Sequence, residues 1–335
     1  MRLTFTLQRF HPDTDPRPHD EQYRLEVGRG ATVLESLIRI RNEQDRTLAL
    51  RYSCRSAICG SCAMTINGHE KLACRASIRK ELERHGQITI APLKNFPIIK
   101  DLVVDMSSFW EKIHAVTPWL TPHPEAVARQ NGERGESNNA AGPLTLTPGT
   151  YDFHNVDACI MCGACVAACT SHEVSKGFLG PAALAKADRF VADPREPGTA
   201  KQHRLVALQD ADGIWDCTRC NFCVQVCPKD VKPMDAIVRL RRASIESGLT
   251  ATGGARHITG FAEIIEREGR LNEAVMPLKV IGLNVARLMR VVPLGISMWL
   301  KGKVPNPFSG PIAGINQVRA IFSARRRNHS STPRG

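Results

Sequence analysis

Residues 51–62 read RYSCRSAICGSC, with cysteines at positions 54, 59 and 62. A fourth cysteine, Cys74, follows after eleven further residues. The chain has 335 residues and twelve cysteines, and the other eight form two runs at residues 159–169 and 217–227. Cysteines crowded at such short intervals suit metal binding better than long-range disulfides, and they indicate a reducing compartment.

The first group has the C-x4-C-x2-C spacing and remote fourth cysteine of a plant-type [2Fe–2S] site. Small residues in this loop allow backbone amides to point at the sulfides, which stabilises the negative charge added on reduction. A structural zinc site is the alternative. The expected [2Fe–2S] ligands are Cys54, Cys59, Cys62 and Cys74.

The second and third groups each have the C-x2-C-x2-C-x3-C spacing of bacterial ferredoxins. In that pattern three close cysteines bind one cubane, and the fourth reaches across to the other cluster. Two such runs predict two cubanes with crossed ligation. The expected ligand sets are Cys159, Cys162, Cys165 and Cys227 for the first, and Cys169, Cys217, Cys220 and Cys223 for the second.

The elements around the first group predict an α+β fold that begins with a plant-type ferredoxin (β-grasp) domain over residues 1–105. Thr32 and Glu35 form a capping box that opens a helix. Asn67-Gly68 is typical of a tight hairpin turn. Apolar alternation and this turn predict strands at residues 3–10, 23–27, 63–66, 72–74 and 87–90.

The two cubane runs lie in a predicted α-helical, bacterial-ferredoxin-like domain over residues 106–248. Helices are expected at residues 181–191 and 233–245, where Pro233 suits a first turn. Residues 128–149 are rich in Asn, Gly, Ser, Ala and Pro without apolar periodicity. They predict a mobile surface loop.

Residues 249–335 form a C-terminal extension that we expect to be mostly helical, with a frayed basic tail at residues 325–327. Glycines at positions 248, 253, 254 and 260 predict a break before it, and no strand precedes them as a phosphate-binding loop requires. Apolar residues are interspersed with basic ones over residues 287–301. We expect this helix to pack on the protein's own core or on a partner, and a membrane surface is the alternative.

The net charge of +12 fits a solvated basic surface, an acidic partner or an anionic membrane. Nucleic acid is excluded as a partner because no recognition motif accompanies the charge. The most apolar segment, residues 275–300, is interrupted by Lys, Arg and Pro, so we expect no transmembrane span. The N-terminal residues lack the apolar core of a signal peptide.

A [2Fe–2S] motif followed by two cubane runs resembles the iron–sulfur subunit of succinate dehydrogenases and fumarate reductases. Residues 51–62 resemble that family's first cluster loop, residues 97–105 its interdomain segment and residues 223–229 the end of its third motif. The resemblance implies an electron-transfer subunit with no substrate-converting site of its own.

The resemblance also implies partners. Electrons would pass between an FAD-containing flavoprotein subunit, where succinate and fumarate interconvert, and a quinone at a membrane anchor or acceptor subunit. The chain would lie peripherally on the cytoplasmic side of the inner membrane. The sequence does not fix the direction of electron flow.

One departure from the family concerns the third cluster. The common form has a non-cysteine residue at the position of Cys220 and binds a [3Fe–4S] cluster there. Cys220 supplies a fourth thiolate, so we expect [4Fe–4S], and a [3Fe–4S] cluster without Cys220 is the alternative. The added negative charge should lower the reduction potential.

A second departure concerns the quinone side. The common form has aromatic residues after the second motif and a histidine just inside the third. This chain instead has TSHEV at residues 170–174, and Thr218 follows Cys217. His172 is a candidate acceptor-side ligand or proton donor, and a solvated loop histidine is the alternative.

Two other functions stay open at this point. Residues 269–273 weakly resemble the ferredoxin-like subunits of heterodisulfide reductases, so an electron-transfer subunit of such a complex, or of another flavin-dependent one, is the alternative function. A zinc-stapled binding module without redox activity is the third hypothesis.

Overall fold

The computed structural model describes residues 1–28, 30–121, 155–193, 195–282, 285–303 and 310–330. The loop expected at residues 128–149 lies outside these residues. The chain forms two compact units, Met1–Ala243 and Ser244–Gly335. The division into domains at residues 105 and 248 stays a prediction.

The first unit begins with a mixed five-stranded sheet whose strand order is β2-β1-β5-β3-β4. β1 pairs antiparallel with β2 and parallel with β5, while β3 and β4 form the hairpin predicted at Asn67-Gly68. This sheet confirms the predicted α+β class. Its strands are β1 (Arg2–Arg9), β2 (His19–Glu26), β3 (Ala63–Ile66), β4 (His69–Leu72) and β5 (Ile88–Ala91).

The core of this domain lies between the sheet and helix α1 (Val33–Glu43). Phe5 and Leu7 alternate along β1 and are fully buried, as the period of two requires. The helix begins where predicted, because the Thr32 hydroxyl accepts a hydrogen bond from the Glu35 amide at 3.2 Å. A second helix, α2 (Ile78–His85), precedes β5.

A buried charge network ties the sheet to the segment that follows it. That segment contains β6 (Ile98–Lys100), β7 (Val103–Val104) and helix α3 (Ser107–Ala115). Asp101 accepts hydrogen bonds from Arg9 Nε at 2.9 Å, from the Phe10 amide at 3.1 Å and from the Ala49 amide at 2.8 Å.

Arg9 itself carries the balancing charge. It also pairs with Glu21 at 2.9 Å and with Asp45. Burial opposes the charge of Arg9, but the hydrogen bonds to Asp101 and Asp45 outweigh it and raise the pKa above its ordinary value. The network therefore holds β1 against the segment that leads from the sheet to α3.

The remaining elements that the structure describes in the first unit are helical, as predicted. A short 3₁₀ turn precedes each cubane run, at Val156–Ala158 and at Ile214–Asp216. The helices predicted at 181–191 and 233–245 are observed as α6 and α9. The elements are α4 (Ala164–Ala167), α5 (Thr170–Val174), α6 (Gly180–Val191), α7 (Gly198–Ala207), α8 (Phe222–Gln225) and α9 (Pro233–Glu246), whose last residues belong to the second unit.

The second unit contains α10 (Gly253–Glu268), α11 (Met276–Ile281), α12 (Val285–Leu300) and α13 (Ile315–Ser330). Arg326 of α13 pairs with Glu266 of α10 at 2.7 Å. No helix among the described residues is long and apolar enough to cross a membrane.

Two expectations for this unit are wrong in part. The break before the extension is observed at Gly248, which has φ of 82° between α9 and α10. Glycines 253, 254 and 260 instead lie inside α10, since the Thr252 hydroxyl caps the helix by accepting from the Ala255 amide at 3.2 Å. The basic residues 325–327 lie in α13 instead of a frayed tail. The described side chains of α12 are exposed, apart from the half-buried Ser297, so the expected packing on the protein's own core is not observed, and packing on a partner stays a prediction.

We expect Asp101→Asn to lower the free energy of unfolding by about 3 kcal/mol, or the apparent Tm by about 6–10 °C. Both carboxylate oxygens of Asp101 accept hydrogen bonds. The asparagine side chain has an NH2 group in place of one oxygen, and this group would face an N–H donor instead of accepting from it. Asp20→Asn on the exposed side of β2 is the control. Equal melting temperatures for the two variants, measured by circular dichroism, would contradict this role.

Candidate metal centres

The first cysteine loop directs backbone amides at its sulfur atoms. The amides of Ser56, Ile58 and Cys59 lie 3.3–3.4 Å from Cys54 Sγ. The amide of Ala57 lies 3.3 Å from Cys74 Sγ. Left-handed backbone at Arg55, Ala57 and Gly60 curls the loop so that successive N–H groups face inward. Such donors stabilise thiolates, so this loop fits an anionic iron–sulfur group.

The thiols of this loop differ in acidity. Hydrogen bonds from the Ser61 hydroxyl and from backbone amides lower the pKa of Cys59 to about 6. Burial raises the pKa of Cys62 to about 12. The exposed edge of the loop therefore favours the thiolate, whereas its buried edge resists charge until a cation is bound.

The four cysteines predicted for the first cubane lie together, although Cys227 follows Cys165 by 62 positions in the sequence. Cys159, Cys162, Cys165 and Cys227 line one apolar cavity. Burial, and then the neighbouring thiols, raise the pKa of Cys162 to about 11. The Val231 amide points at Cys227 Sγ from 3.4 Å.

The other four cysteines also approach one another. Burial raises the pKa of Cys223 to about 12, with Cys217, Cys169 and Cys220 as the next causes. The pKa of Cys220 is lowered: burial opposes this, but the Phe222 amide and the hydroxyls of Thr170 and Thr218 outweigh it. Across all described residues, no three His, Cys, Asp or Glu side chains are placed to hold a single metal ion.

The two cubane runs have the same local structure. Each is a 3₁₀ turn, a cysteine loop and a one-turn helix. Met161 and Arg219 occupy the same place in the two loops, with φ of 53° and 57°. Gly163 and Asn221 also correspond, with φ of 78° and 70°. Asn tolerates this left-handed conformation, so it replaces glycine in the third motif.

The first loop packs directly against the second run. A Cβ atom on Gly60 would lie 2.9 Å from Cys162 Cβ and 2.9 Å from the Ile160 carbonyl oxygen. Gly60 also has φ of +76°. Both facts require glycine, and they bring two of the predicted centres to adjoining backbone.

Two residues that the sequence did not mark as functional join the N-terminal part of the chain to the two cubane runs. The Asn95 side chain donates to the carbonyls of Val166, Ala167 and Cys169 at 3.0–3.2 Å, and so caps the end of α4. Arg75, next to Cys74, donates to the Pro228 carbonyl at 3.0 Å. No spacing or motif marks either residue.

A third missed residue positions the third motif. Arg241 of α9 is buried and donates to the Ile214 carbonyl at 2.8 Å and to the Cys217 carbonyl at 2.7 Å. Its guanidinium lies over the Trp215 ring, 5.3 Å from the centroid. The arginine thus fixes the turn that presents Cys217 and places a cation beside it.

His172 is not a solvated loop histidine, which corrects that alternative. It lies on α5, is 4% exposed and has Lys112 Nζ 3.4 Å from its Nδ1. Burial, and then the charges of Lys112 and Lys176, lower its pKa to about 4. The ring is therefore neutral at pH 7, and its role on the acceptor side stays a prediction.

The solvent exposure of the cysteines differs between the three groups. Cys59 in the first group and Cys220 in the third are the only exposed cysteines of the twelve. Ile58 beside Cys59 is 64% exposed, and Phe222 beside Cys220 is 44% exposed. The arrangement thus has one accessible edge at each end.

The sequence of this chain is similar to those of known iron–sulfur proteins. Residues 4–111 match the family described as a 2Fe-2S iron-sulfur cluster binding domain, and residues 155–231 match the 4Fe-4S dicluster domain. The fumarate reductase iron-sulfur subunit of Mycobacterium tuberculosis is 38% identical over 241 residues, which are 72% of this chain and 92% of that protein. The [2Fe–2S] and [4Fe–4S] predictions are confirmed, while the type of the third cluster is not.

Two further relatives agree. The succinate dehydrogenase iron-sulfur subunit of Paracoccus denitrificans is 35% identical over 247 residues, covering 72% of this chain and 88% of that protein. A chain of the Mycobacterium smegmatis Sdh1 complex in the apo form has a TM-score of 0.54 at 26% identity, and the match covers 73% of this chain and 96% of that one.

We expect Gly60→Ala to weaken the contact between the first loop and the second run. Left-handed backbone alone costs an alanine about 1–2 kcal/mol, and overpacking against Cys162 adds about 1–3 kcal/mol. Gly68→Ala is the matched control, because Gly68 has φ of +80° and no atom within 4 Å of the added methyl. Iron and acid-labile sulfide per chain should fall in Gly60→Ala only. Equal losses of iron and sulfide in both variants would mean that backbone strain, and not the contact with Cys162, causes the effect.

Proposed function

Because this chain belongs to the family of iron–sulfur subunits of succinate dehydrogenase and fumarate reductase, we propose that its cysteine groups form a linear electron path from the Cys59 edge to the Cys220 edge. The observation that carries this proposal is the contact of Gly60 with Cys162, together with the two exposed ends. When bound, iron–sulfur clusters accept and release single electrons.

The chain is an electron-transfer component of an oxidoreductase complex. The alternatives, a heterodisulfide-reductase-like subunit and a zinc-stapled module, are set aside. Relatives more than 30% identical over most of their length are iron–sulfur subunits of fumarate reductase and succinate dehydrogenase. The complex implies a flavoprotein subunit and membrane subunits.

The proposed ligand sets follow the grouping of the cysteines. Cys54, Cys59, Cys62 and Cys74 hold the [2Fe–2S] cluster. The crossed pattern is supported by the cavity that Cys227 shares with Cys159, Cys162 and Cys165. Cys169 with Cys217, Cys220 and Cys223 completes the third site.

The Cys59 edge is the proposed docking face of the FAD-containing subunit. Ile58 offers an exposed apolar side chain there, and Arg55 beside it is stacked on Tyr52 at 5.3 Å. Backbone amides that point at the sulfur atoms of Cys54 and Cys74 stabilise negative charge at this edge. Succinate oxidation or fumarate reduction takes place in the flavoprotein, and the direction depends on the potential of the acceptor.

The Cys220 edge is the proposed acceptor side, where a membrane subunit brings a quinone. Thr170, Ser171 and Thr218 surround it, with Thr170 Oγ1 3.6 Å from Cys220 Sγ and Ser171 Oγ 3.5 Å from Thr218 Oγ1. These hydroxyls stand where the common family form has aromatic and histidine contacts. We propose that this chain lies peripherally on the cytoplasmic side of the inner membrane.

The third cluster is proposed to be [4Fe–4S], with Cys220 as its fourth ligand. The lowered pKa of Cys220 favours its thiolate, and the matching geometry of the second run supports a full set of four. A [3Fe–4S] cluster held without Cys220 is the alternative.

We expect Ile58→Asp to slow electron transfer from the flavoprotein about tenfold, as the loss of an apolar interface anchor does. Succinate-dependent reduction of the [2Fe–2S] cluster, followed by EPR after rapid freezing, measures it. Ile99→Asp, at a side chain that is 46% exposed, is the matched control. Dithionite should reduce both variants fully. An unchanged rate in Ile58→Asp would place the flavoprotein elsewhere.

We expect the oxidised, anaerobically purified protein to lack a strong [3Fe–4S] EPR signal, and Cys220→Ser to produce one. Loss of a thiolate removes negative charge, so the potential of the third site should rise on the order of 100 mV or more. Thr218→Ala is the control for disturbance of the loop. A strong [3Fe–4S] signal in the intact protein would refute the assignment of Cys220.

A further inference from the structure

We propose that helix α12 (Val285–Leu300) and the basic residues that follow it bind directly to an anionic lipid surface, with the helix lying in the plane of the membrane. This goes beyond the proposed function, which requires a membrane subunit but no lipid contact by this chain. The inference rests on the exposure of the helix, the arrangement of its side chains and the charge of the unit that carries it.

The apolar side chains that the structure describes in α12 are exposed to solvent. Val292 is 40% exposed, Ile296 54% and Trp299 70%. These positions recur at intervals of four and three residues, so they share one face of the helix. Isolated exposed apolar residues are ordinary, but a continuous apolar helix face marks a binding surface.

The polar residues of the same helix form a narrow stripe. Arg290 and Ser297, the polar residues of the helix whose side chains are described, are seven residues apart, which places them within about 20° of each other at 3.6 residues per turn, and Lys301 follows the helix directly. Val292, Ile296 and Trp299 lie on the opposite side. An apolar face opposite a cationic stripe is the pattern of helices that lie in a membrane interface.

The charge of the surrounding chain selects anionic lipid as the occupant. Residues 274–335 contain ten Lys or Arg residues and no Asp or Glu, so they carry nearly all of the net charge of +12. Lys279 pairs with Glu263, and Arg326 pairs with Glu266 at 2.7 Å. Such a segment is attracted to the negative surface potential of membranes.

The cations of the polar stripe and of the residues after the helix are free to meet lipid headgroups. Within the described part of the chain, the side chains of Arg290, Lys301 and Lys303 take part in no hydrogen bond or ion pair, and all three are exposed. Long basic side chains keep their charged ends in the headgroup region while their stems cover apolar surface. They therefore complement the apolar face.

The length of the helix fits binding in the plane of the membrane. Sixteen residues extend about 24 Å, less than the roughly 30 Å of a hydrocarbon core. Basic residues also follow its apolar end at Lys301 and Lys303. Trp299 lies beside them, where an indole ring suits the membrane–water boundary.

Flotation with lipid vesicles tests the proposal on the full-length, cluster-containing subunit, purified without its partners. Vesicles of phosphatidylcholine with about 30% phosphatidylglycerol should bind it at least about tenfold more strongly than phosphatidylcholine alone, and high salt should abolish the difference. This assay needs neither the flavoprotein nor electron transfer, so the proposal and the proposed function can fail separately.

Variants separate the contribution of apolar burial to vesicle binding from that of electrostatic attraction. Ile296→Glu should weaken binding to the anionic vesicles about tenfold or more, since burial of an isoleucine is lost. The double variant Arg290→Gln with Lys301→Gln should weaken it about 25-fold at low salt, or about fivefold for each cation. Val206→Glu on α7, at a side chain 48% exposed, and Arg46→Gln are the matched controls.

Three results would overturn the proposal. One is equal binding to anionic and neutral vesicles, and another is equal losses in the control variants. The third is absence of vesicle binding together with a dimer, seen by analytical ultracentrifugation, that Ile296→Glu dissociates. That outcome would assign the face to a second copy of the chain. Unchanged iron and sulfide content in every variant verifies that the clusters are intact.

Discussion

The structure depends on the need to hold negative sulfur atoms inside or beside apolar packing. Burying a thiolate without compensation is unfavourable, and burial raises the pKa of the thiols at both cubane sites. The chain compensates with backbone N–H groups, which left-handed residues turn toward sulfur in all three motifs. The unusual dihedral angles are therefore a requirement of the cysteine sites, and the secondary structure around the cysteines is short because these loops interrupt it.

The same requirement explains how the two domains of the first unit are joined. Gly60 permits the first loop to meet the second run, and Asn95 of the N-terminal part caps the helix that follows that run. The network around Arg9 and Asp101 anchors the connecting segment at the other side of the sheet. These contacts restrict the spacing of the first two sites, which is the property an electron path needs.

Local signals in the sequence predicted much of this arrangement. Cysteine spacing predicted the grouping, and the Thr32 cap, the Asn67-Gly68 turn and the helix beginning at Pro233 were found as expected. Asn95, Arg241 and Lys112 were not predictable, since each acts on a partner 24 or more residues away. The burial of His172 and the exposure of α12 within this chain were not predicted for a related reason: a single sequence shows which residues are apolar or basic but not what covers them.

The crossed ligation proposed for Cys227 has a consequence for biosynthesis. Cys159, Cys162 and Cys165 precede Cys227 in the sequence, so under this proposal their site lacks its fourth sulfur until the third motif has been synthesised and folded. Iron delivered to the nascent chain would meet an incomplete set of ligands. The fold thus favours insertion of metal after translation, when both halves of the repeated motif can close together.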